Sequence, residues 1–474
     1  MTAADTYDLI RYDNFPLPQT HPSRLHALGK MAGMNPPAVE TCRVLELGAS
    51  EGVNLIPMAH RFPRAEFTGI DLAVEPIERG KTFVREFGLA NLRLEAMDLL
   101  DVDGSFGTFD YIIAHGLYAW TPKIVSDKIL AIMGMLLSPQ GIGFISYNTQ
   151  PAGHIQRMVR EMMLFHSRDA ARPEEQVARA REMLSLLARE RTRQEVDKMD
   201  AYDAVLTAHA AELLYQRSAN QMFHDDLALA YEPVALTDFV AHAKRHGLRY
   251  VDDAGAPDPR GGAAPKGLDG RVVERVQAMA GGDRLLELQY HDYLRMRRFR
   301  QSLVCRTGVE LRSEWDPSSA VGLHASTRVA EVAEGSFARG EFRMSTPHPV
   351  PVAYLRRLIG LWPGSEAVSP EDSGVATALF RAGALELRGA PSVAVRAGDW
   401  PCADPLIRFQ SRRGDPRLTT LWHEPLLVDD GLRRLLELLD GTRDSVALAR
   451  EASCSVESMR RELDDLASHG VLIV

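Results

Sequence analysis

Cysteine is scarce: Cys42, Cys305, Cys402 and Cys454 are the only four in 474 residues, and they lie far apart. Such spacing excludes a thiolate metal site and a disulfide framework, so reduced thiols, no structural metal and a cytoplasmic setting are expected. Long apolar runs are missing too, none approaching the roughly 18 residues of a membrane span. The opening residues, Met1 to Asp8, carry neither a basic region nor an apolar core, so no signal peptide is expected. Positive charge falls short, with 55 Lys and Arg against 64 Asp and Glu and a formal net charge of −9. That balance argues against nonspecific nucleic-acid binding by the whole chain. Apolar residues make up 45%, enough for sizeable cores in about two to four domains.

One further absence is informative. A G-x-G-x-x-G dinucleotide fingerprint is not found where it would be expected, after the first buried strand. That strand, over 43–47, is instead followed by Gly48-Ala49-Ser50-Glu51-Gly52, then Asn54 opens a helix. Gly48 and Gly52 allow a tight turn and a close backbone approach to a ligand. About 20 residues on, a second strand ends in Asp71, placed to accept both hydroxyls of an adenosine ribose. Glu46 and Glu51 flank the turn and would repel a pyrophosphate, whereas a cationic ligand without phosphate suits them. S-adenosylmethionine, with its ammonium and sulfonium, is such a ligand, so methyl transfer is favoured over hydride transfer.

Strand and helix signals alternate through residues 42–150. Strands are expected over 43–47, 66–70, 92–96, 111–114 and 143–147, with helices over 54–61, 76–87 and 122–137. Such βα alternation implies a mostly parallel sheet covered on both faces, with ligands at the carboxyl ends of its strands. Those ends carry Glu46 and Gly48, Asp71 and Leu72, Met97 and Asp98, and His115 with Tyr118. Asp98 suits the adenine amino group, with Met97 or Leu99 packing on the ring, although an acid after a strand is also a common turn cap. His115, Tyr118 and Trp120 fall where a methyl acceptor should meet the sulfonium, and aromatic rings there can hold a cation. For Trp120, hydrophobic cover is the competing reading.

Before this unit, a proline- and aromatic-rich arm holds Tyr12 and His21 and reads either as packing or as a lid, with Ser23 capping a helix over 24–32. After it, helices are expected over 151–167, 174–191, 194–217 and 236–246, a Gly/Pro/Ala-rich linker over 253–270, and a strand over 302–305. Arg295, Arg297, Arg298, Arg300 and Arg306 are expected on a solvated helix face before and around that strand. The tail has helices over 430–439, 445–452 and 455–467 and a strand over 471–474, a winged-helix pattern. Its last helix sets Arg460 and Arg461 against Glu457, Glu462, Asp464 and Asp465, the wrong balance for phosphate contact.

These residues carry a resemblance. The arm Gln19-Thr20-His21-Pro22-Ser23-Arg24-Leu25, the turn from Val44 to Ala59, the stretch from Phe109 to Trp120 and Ile145-Ser146-Tyr147-Asn148-Thr149-Gln150-Pro151 resemble class I methyltransferases with an attached regulatory domain. Within these, the chain is similar to the bacterial protein-lysine methyltransferases found in Rickettsia. The similarity continues through 220–251 and 293–306 into the tail and is weakest over 307–400. Ala49 stands where the family commonly has cysteine, and Arg11 where it more often has proline. The resemblance implies an α/β, Rossmann-like methyltransferase domain, a helical and α+β middle region and a winged-helix-like end. It also implies a homodimer acting on a protein lysine.

The expected organisation is an arm or lid over 1–40, a cofactor domain over 41–150, a helical regulatory and dimerisation region over 151–300, an α+β region over 301–400 and a winged-helix-like unit over 401–474. Glu46, Gly48, Ala49, Ser50, Asn54, Asp71, Leu72, Met97, Asp98, Leu99 and His115 are the expected S-adenosylmethionine contacts. Tyr118, His115, Tyr12 and His21 are the candidates for holding the acceptor or relaying its proton. A nitrogen acceptor, a protein lysine first and a small molecule or peptide second, is expected, with no metal, nucleic acid or membrane. A cofactor-sensing protein without chemistry is the third reading.

Overall fold

The computed structural model describes residue 12 and residues 14–189, 199–228, 230–255 and 269–473. At its centre lies a seven-stranded sheet of order β3-β2-β1-β4-β5-β7-β6. It is built from β1 (Arg43–Leu47), β2 (Glu66–Asp71), β3 (Leu92–Ala96), β4 (Phe109–Ala114), β5 (Leu137–Asn148), β6 (Leu248–Asp253) and β7 (Phe299–Arg306). The first five strands are mutually parallel, and β7 runs antiparallel between β5 and β6. Strand order reverses between β1 and β4, and this opens the crevice in which such sheets bind ligands.

Side-chain alternation along each strand divides the sheet's apolar residues between two cores. Val44, Phe67, Tyr111, Ile113 and Phe144 pack with Leu25, Leu55, Met58 and Phe83 on one side. Leu45, Leu47, Ile112, Ala114 and Ile145 pack with Ile129, Leu130, Met133 and Leu136 on the other. Helix α1 (Pro22–Met31), α2 (Leu55–Arg61) and α3 (Val74–Phe87) supply the first layer, and α4 (Lys123–Leu136) supplies the second. Burial on both faces explains the near-continuous apolar reading of these strands.

Beyond β5 the helices α5 (Ala152–Ser167), α6 (Pro173–Leu187) and α7 (Ala201–Gln216) form a satellite core with Met222, Phe223 and Leu227. A π-helical turn, Met222–Asp226, follows. Then α8 (Leu236–Arg245) leads into β6, and α9 (Gly270–Ala280) and α10 (Arg284–Arg295) lead into β7. Small antiparallel sheets occupy 324–388, and α11 (Pro349–Leu361) and α12 (Ser373–Arg381) pack on them. The last unit comprises α13 (Pro405–Arg412), the ribbon of Arg417–Thr419 and Pro425–Leu427, and α14 (Asp430–Leu438), α15 (Ser445–Glu451) and α16 (Val456–Ser468), around its own core. No helix among the described residues is long and apolar enough to cross a membrane.

Several expectations are corrected. The α1 cap is His21, whose Nδ1 accepts from the Ser23 N–H at 3.2 Å; Ser23 Oγ instead accepts from the Ala390 N–H at 2.9 Å. Arg300 is not solvated. It is 1% exposed and donates to Asp292 and Asp253 at 2.6–2.9 Å, because a guanidinium inside a sheet requires carboxylates on both sides. Within 471–473, the expected last strand makes only the isolated bridge Ala403 to Leu472. The expected helix start at 194–198, most of the linker (256–268) and Arg11 lie outside the described residues.

Candidate active site

The turn after β1 is fixed by backbone before any ligand arrives. Gly48 has φ +77°, the left-handed region that favours glycine, and a Cβ there would lie 2.9 Å from Leu117 Cδ1 on the loop that follows β4. The Gly48 and Ala49 N–H groups both donate to the Ile70 carbonyl, at 2.8 and 3.0 Å. Ser50 is left-handed without being glycine, at φ +49°. Its N–H donates to Asp71 Oδ2 at 2.8 Å, and its Oγ accepts from Asn14 Nδ2 at 2.8 Å. Asp71 Oδ1 accepts from the Ala73 N–H at 2.9 Å. Strain of this kind persists where neighbours over-determine it, commonly beside a ligand. Asp71 is thus an oriented acceptor at the end of β2, as a ribose diol requires.

Behind the turn, Asn54 joins three segments of the chain. Its Nδ2 donates to Glu46 Oε1 at 2.8 Å and to Thr20 Oγ1 at 2.9 Å. Its Oδ1 accepts from the Leu17 N–H at 3.0 Å and from His423 Nε2 at 2.8 Å. An amide oxygen only accepts, so His423 carries its proton on Nε2. Asn54 therefore positions Glu46 and spends its own groups on the chain. Glu46 is buried, and its Oε2 has no hydrogen-bond partner among the described residues. Burial pushes its carboxyl up to about 8, with the Asn54 hydrogen bond opposing and Asp71 adding to the rise. A buried carboxyl with one idle oxygen is a group whose ionised form a neighbouring cation would stabilise.

Further along the same edge, Asp98 Oδ1 accepts from the Leu100 N–H at 2.9 Å and caps a short turn. The Met97 N–H donates to the Asp71 carbonyl at 2.8 Å. Leu72 stands exposed, whereas Leu99 is buried in the second core. At the end of β4, His115 Nδ1 lies 3.1 Å from Ser146 Oγ, which also accepts from the Gly116 N–H at 2.9 Å. The hydroxyl satisfies both neighbours when it donates to Nδ1, which leaves the His115 proton on Nε2. Desolvation pulls this imidazole down to about 4. It is a neutral donor at neutral pH.

Tyr118 turns the other way. Its ring packs on Tyr147 and Phe239, and its hydroxyl lies 2.7 Å from His242 Nδ1. Burial pushes the phenol well above its ordinary range. None of these contacts joins it to Glu46, Asp71 or His115. Trp120 packs against Tyr231, with ring centroids 4.6 Å apart.

The arm runs from this turn to the π-helical turn Met222–Asp226. Asn14 and Leu17 tie it to Ser50 and Asn54, and the Tyr12 hydroxyl donates to Asp225 Oδ1 at 3.2 Å. Asp225 and Asp226 sit on the π-helical turn beside Arg217, at 3.5 and 3.6 Å. Burial pushes Asp226 up to about 7 and also raises Asp225. His21 is buried beside Phe62 and His423. Burial holds it well below the ordinary imidazole range, with His423, Arg388 and Arg61 adding to that shift. Sequence reading missed His423 and the acids at 225 and 226. His423 lies 369 positions from its partner, and no local signal marks it.

Comparison with known proteins agrees with this architecture. Residues 44–141 match the family model of a methyltransferase domain, and 218–306 match that of a predicted methyltransferase regulatory domain. Residues 399–466 match the PKMT C-terminal winged helix domain. The chain thus combines a fold of the methyltransferase-domain type with stretches that match a regulatory domain and a PKMT-type winged helix. The structure of PKMT2 from Rickettsia typhi in complex with AdoHcy superposes on it with a TM-score of 0.83 at 22% identity, covering 98% of this chain and 100% of that one. An uncharacterized protein of Rickettsia prowazekii is 35% identical over 65% of this chain and 54% of its own length. A second from the same organism is 45% identical over 34% of this chain and 65% of its own. The chain spans about half to two thirds of the length of these curated relatives.

Proposed function

We propose that the protein transfers a methyl group from S-adenosylmethionine to a nitrogen acceptor, most directly a protein lysine. The observation that carries the reading is the idle, buried Glu46 oxygen beside an oriented Asp71, a pair suited to a cationic adenosine cofactor. Asp71 would hold the ribose, Asp98 and Leu72 would flank the adenine, and Glu46 would balance the ammonium. The cofactor supplies an activated methyl on a good leaving group. The chain's own part is to position the acceptor and exclude water.

Tyr12, Asp225 and Asp226 support an amine acceptor. The arm sets Tyr12 between the cofactor turn and two acids, and those acids favour an approaching ammonium. A lysine must lose its proton before attack, and we assign that proton to Asp225, which accepts from the Tyr12 hydroxyl and keeps 24% of its side chain exposed. His115, as an Nε2–H donor, can orient the acceptor but holds no lone pair for its proton there. His21, as the cap of α1, fixes the arm.

Cytoplasmic residence and a homodimer belong to this reading. Phe165, Leu186, Tyr202 and Tyr215 stand exposed on three successive helices, where a second copy would cover them; sedimentation velocity checks the dimer. Radiolabelled S-adenosylmethionine incubated with size-fractionated lysate from the source organism tests the function. Label is expected in a protein band and, by mass spectrometry, on lysine. Label confined to the small-molecule fraction would replace the protein acceptor with a biosynthetic one.

A further inference from the structure

A second polar cluster lies on the opposite side of the loop after β4. Asp127 stands on α4, His242 on α8 and His246 at the C-terminal cap of α8. Four residues apart on a helix, the two imidazoles share a face. Their Nε2 atoms converge on one oxygen, Asp127 Oδ1, at 3.0 and 2.9 Å. The ligand atoms of all three residues lie within 4.8 Å of one another.

The helices are brought together for this. Gly134, seven residues and about two turns after Asp127, has no Cβ, and one placed there would lie 2.1 Å from the His246 carbonyl. Only glycine lets the end of α8 approach α4 so closely. Behind His242, the Tyr118 hydroxyl meets Nδ1 at 2.7 Å and fixes the ring so that Nε2 faces outward. Metal-ligating histidines are commonly oriented in this way through their second nitrogen. Asp127 keeps 55% of its side-chain surface exposed, so the point of convergence is open to solvent.

We propose that Asp127, His242 and His246 bind a divalent transition-metal cation of the zinc class, leaving a fourth position for water. Two imidazoles and one carboxylate are a sufficient donor set for zinc with an open site. On binding, each Nε2 gives its lone pair to the metal. The His242 proton then resides on Nδ1 and is donated to the Tyr118 oxygen, so the ring stays neutral and that hydrogen bond reverses direction. The cation would clamp α8, in the region matched by the regulatory domain, to α4 of the methyltransferase domain, and would fix the loop that carries His115. This assignment stands independently of the methyl acceptor.

The test is a cobalt(II) titration of tag-free, chelator-treated full-length protein, followed by the visible absorption of low-coordinate cobalt and by competition with zinc. One equivalent should bind with a visible band. His242→Ala and His246→Ala should abolish the band, and Asp127→Asn should weaken binding. Tyr118→Phe, which removes an orienting contact, should weaken binding by roughly tenfold or more. Should an alanine variant fail to fold by circular dichroism, His246→Gln replaces it with a side chain that keeps the volume. Absence of the band in the wild-type protein, or its survival in the histidine variants, overturns the site.

Discussion

The Asn54 hub and the Asp127 cluster are both polar, both include histidine, and are held by opposite means. The hub is buried and assembled from the arm, the cofactor turn and the winged-helix unit. Each of its groups would be costly to leave unpaired, so it enforces assembly of those three segments. The Asp127 cluster sits between two helices with its carboxylate in water. Water could replace its hydrogen bonds at little cost, so it adds little to stability and remains free to take a ligand.

The largest effect that would break this contrast is expected at the hub. Asn54→Leu strands Leu17 N–H, Glu46 Oε1 and His423 Nε2–H, and should cost about 3–5 kcal/mol. A thermal melt should fall by roughly 3–5 °C; a fall within about 1 °C would show that the hub does not bind the segments together. Next comes Asp71→Ala, which should weaken S-adenosylmethionine binding by about 10- to 100-fold in calorimetry, the value of one or two charge-assisted hydrogen bonds.

Glu46 sharpens the comparison through pH. Its folded carboxyl is raised to about 8, so the neutral acid is favoured, and its contribution to stability is lost as pH rises through that value. A cationic cofactor needs the ionised form. Affinity should therefore climb up to about tenfold per pH unit and level off above about 8, with a proton released on binding at lower pH. Glu46→Gln should abolish both the slope and the proton release, read from calorimetry in buffers of different ionisation enthalpy. The smallest effect belongs to the exposed cluster: without metal, Asp127→Asn should change stability by no more than about 0.5 kcal/mol in urea denaturation.

Sequence carried the sheet well where order was local. β1 and β3 have the expected bounds, and β2 and β4 extend them by one and two residues, since apolar runs between turn residues mark a doubly covered strand. Glu46, Asp71 and Asp98 stand at strand ends as the alternation required. What failed was long-range. Arg300 read as part of a solvated face because one of its two carboxylate partners, Asp253, lies 47 residues away, and the other, Asp292, sits on the preceding helix. Tyr118 follows the fourth strand as expected, yet its direction is set by His242, 124 residues on. Asp127 and the His242–His246 pair meet across 115 and 119 residues, so no local spacing announces that cluster.

The placement of β7 carries a consequence for dissecting the chain. Residues 143–148 of β5 pair with β7, which lies in the region matched by the regulatory domain, and β6 pairs with β7's other side. A fragment ending near residue 150 would thus present the backbone of β5 as a raw, apolar edge, a template for aggregation. Expressing residues 1–150 alone should give inclusion bodies, and a soluble fragment that keeps this sheet has to run at least through Arg306.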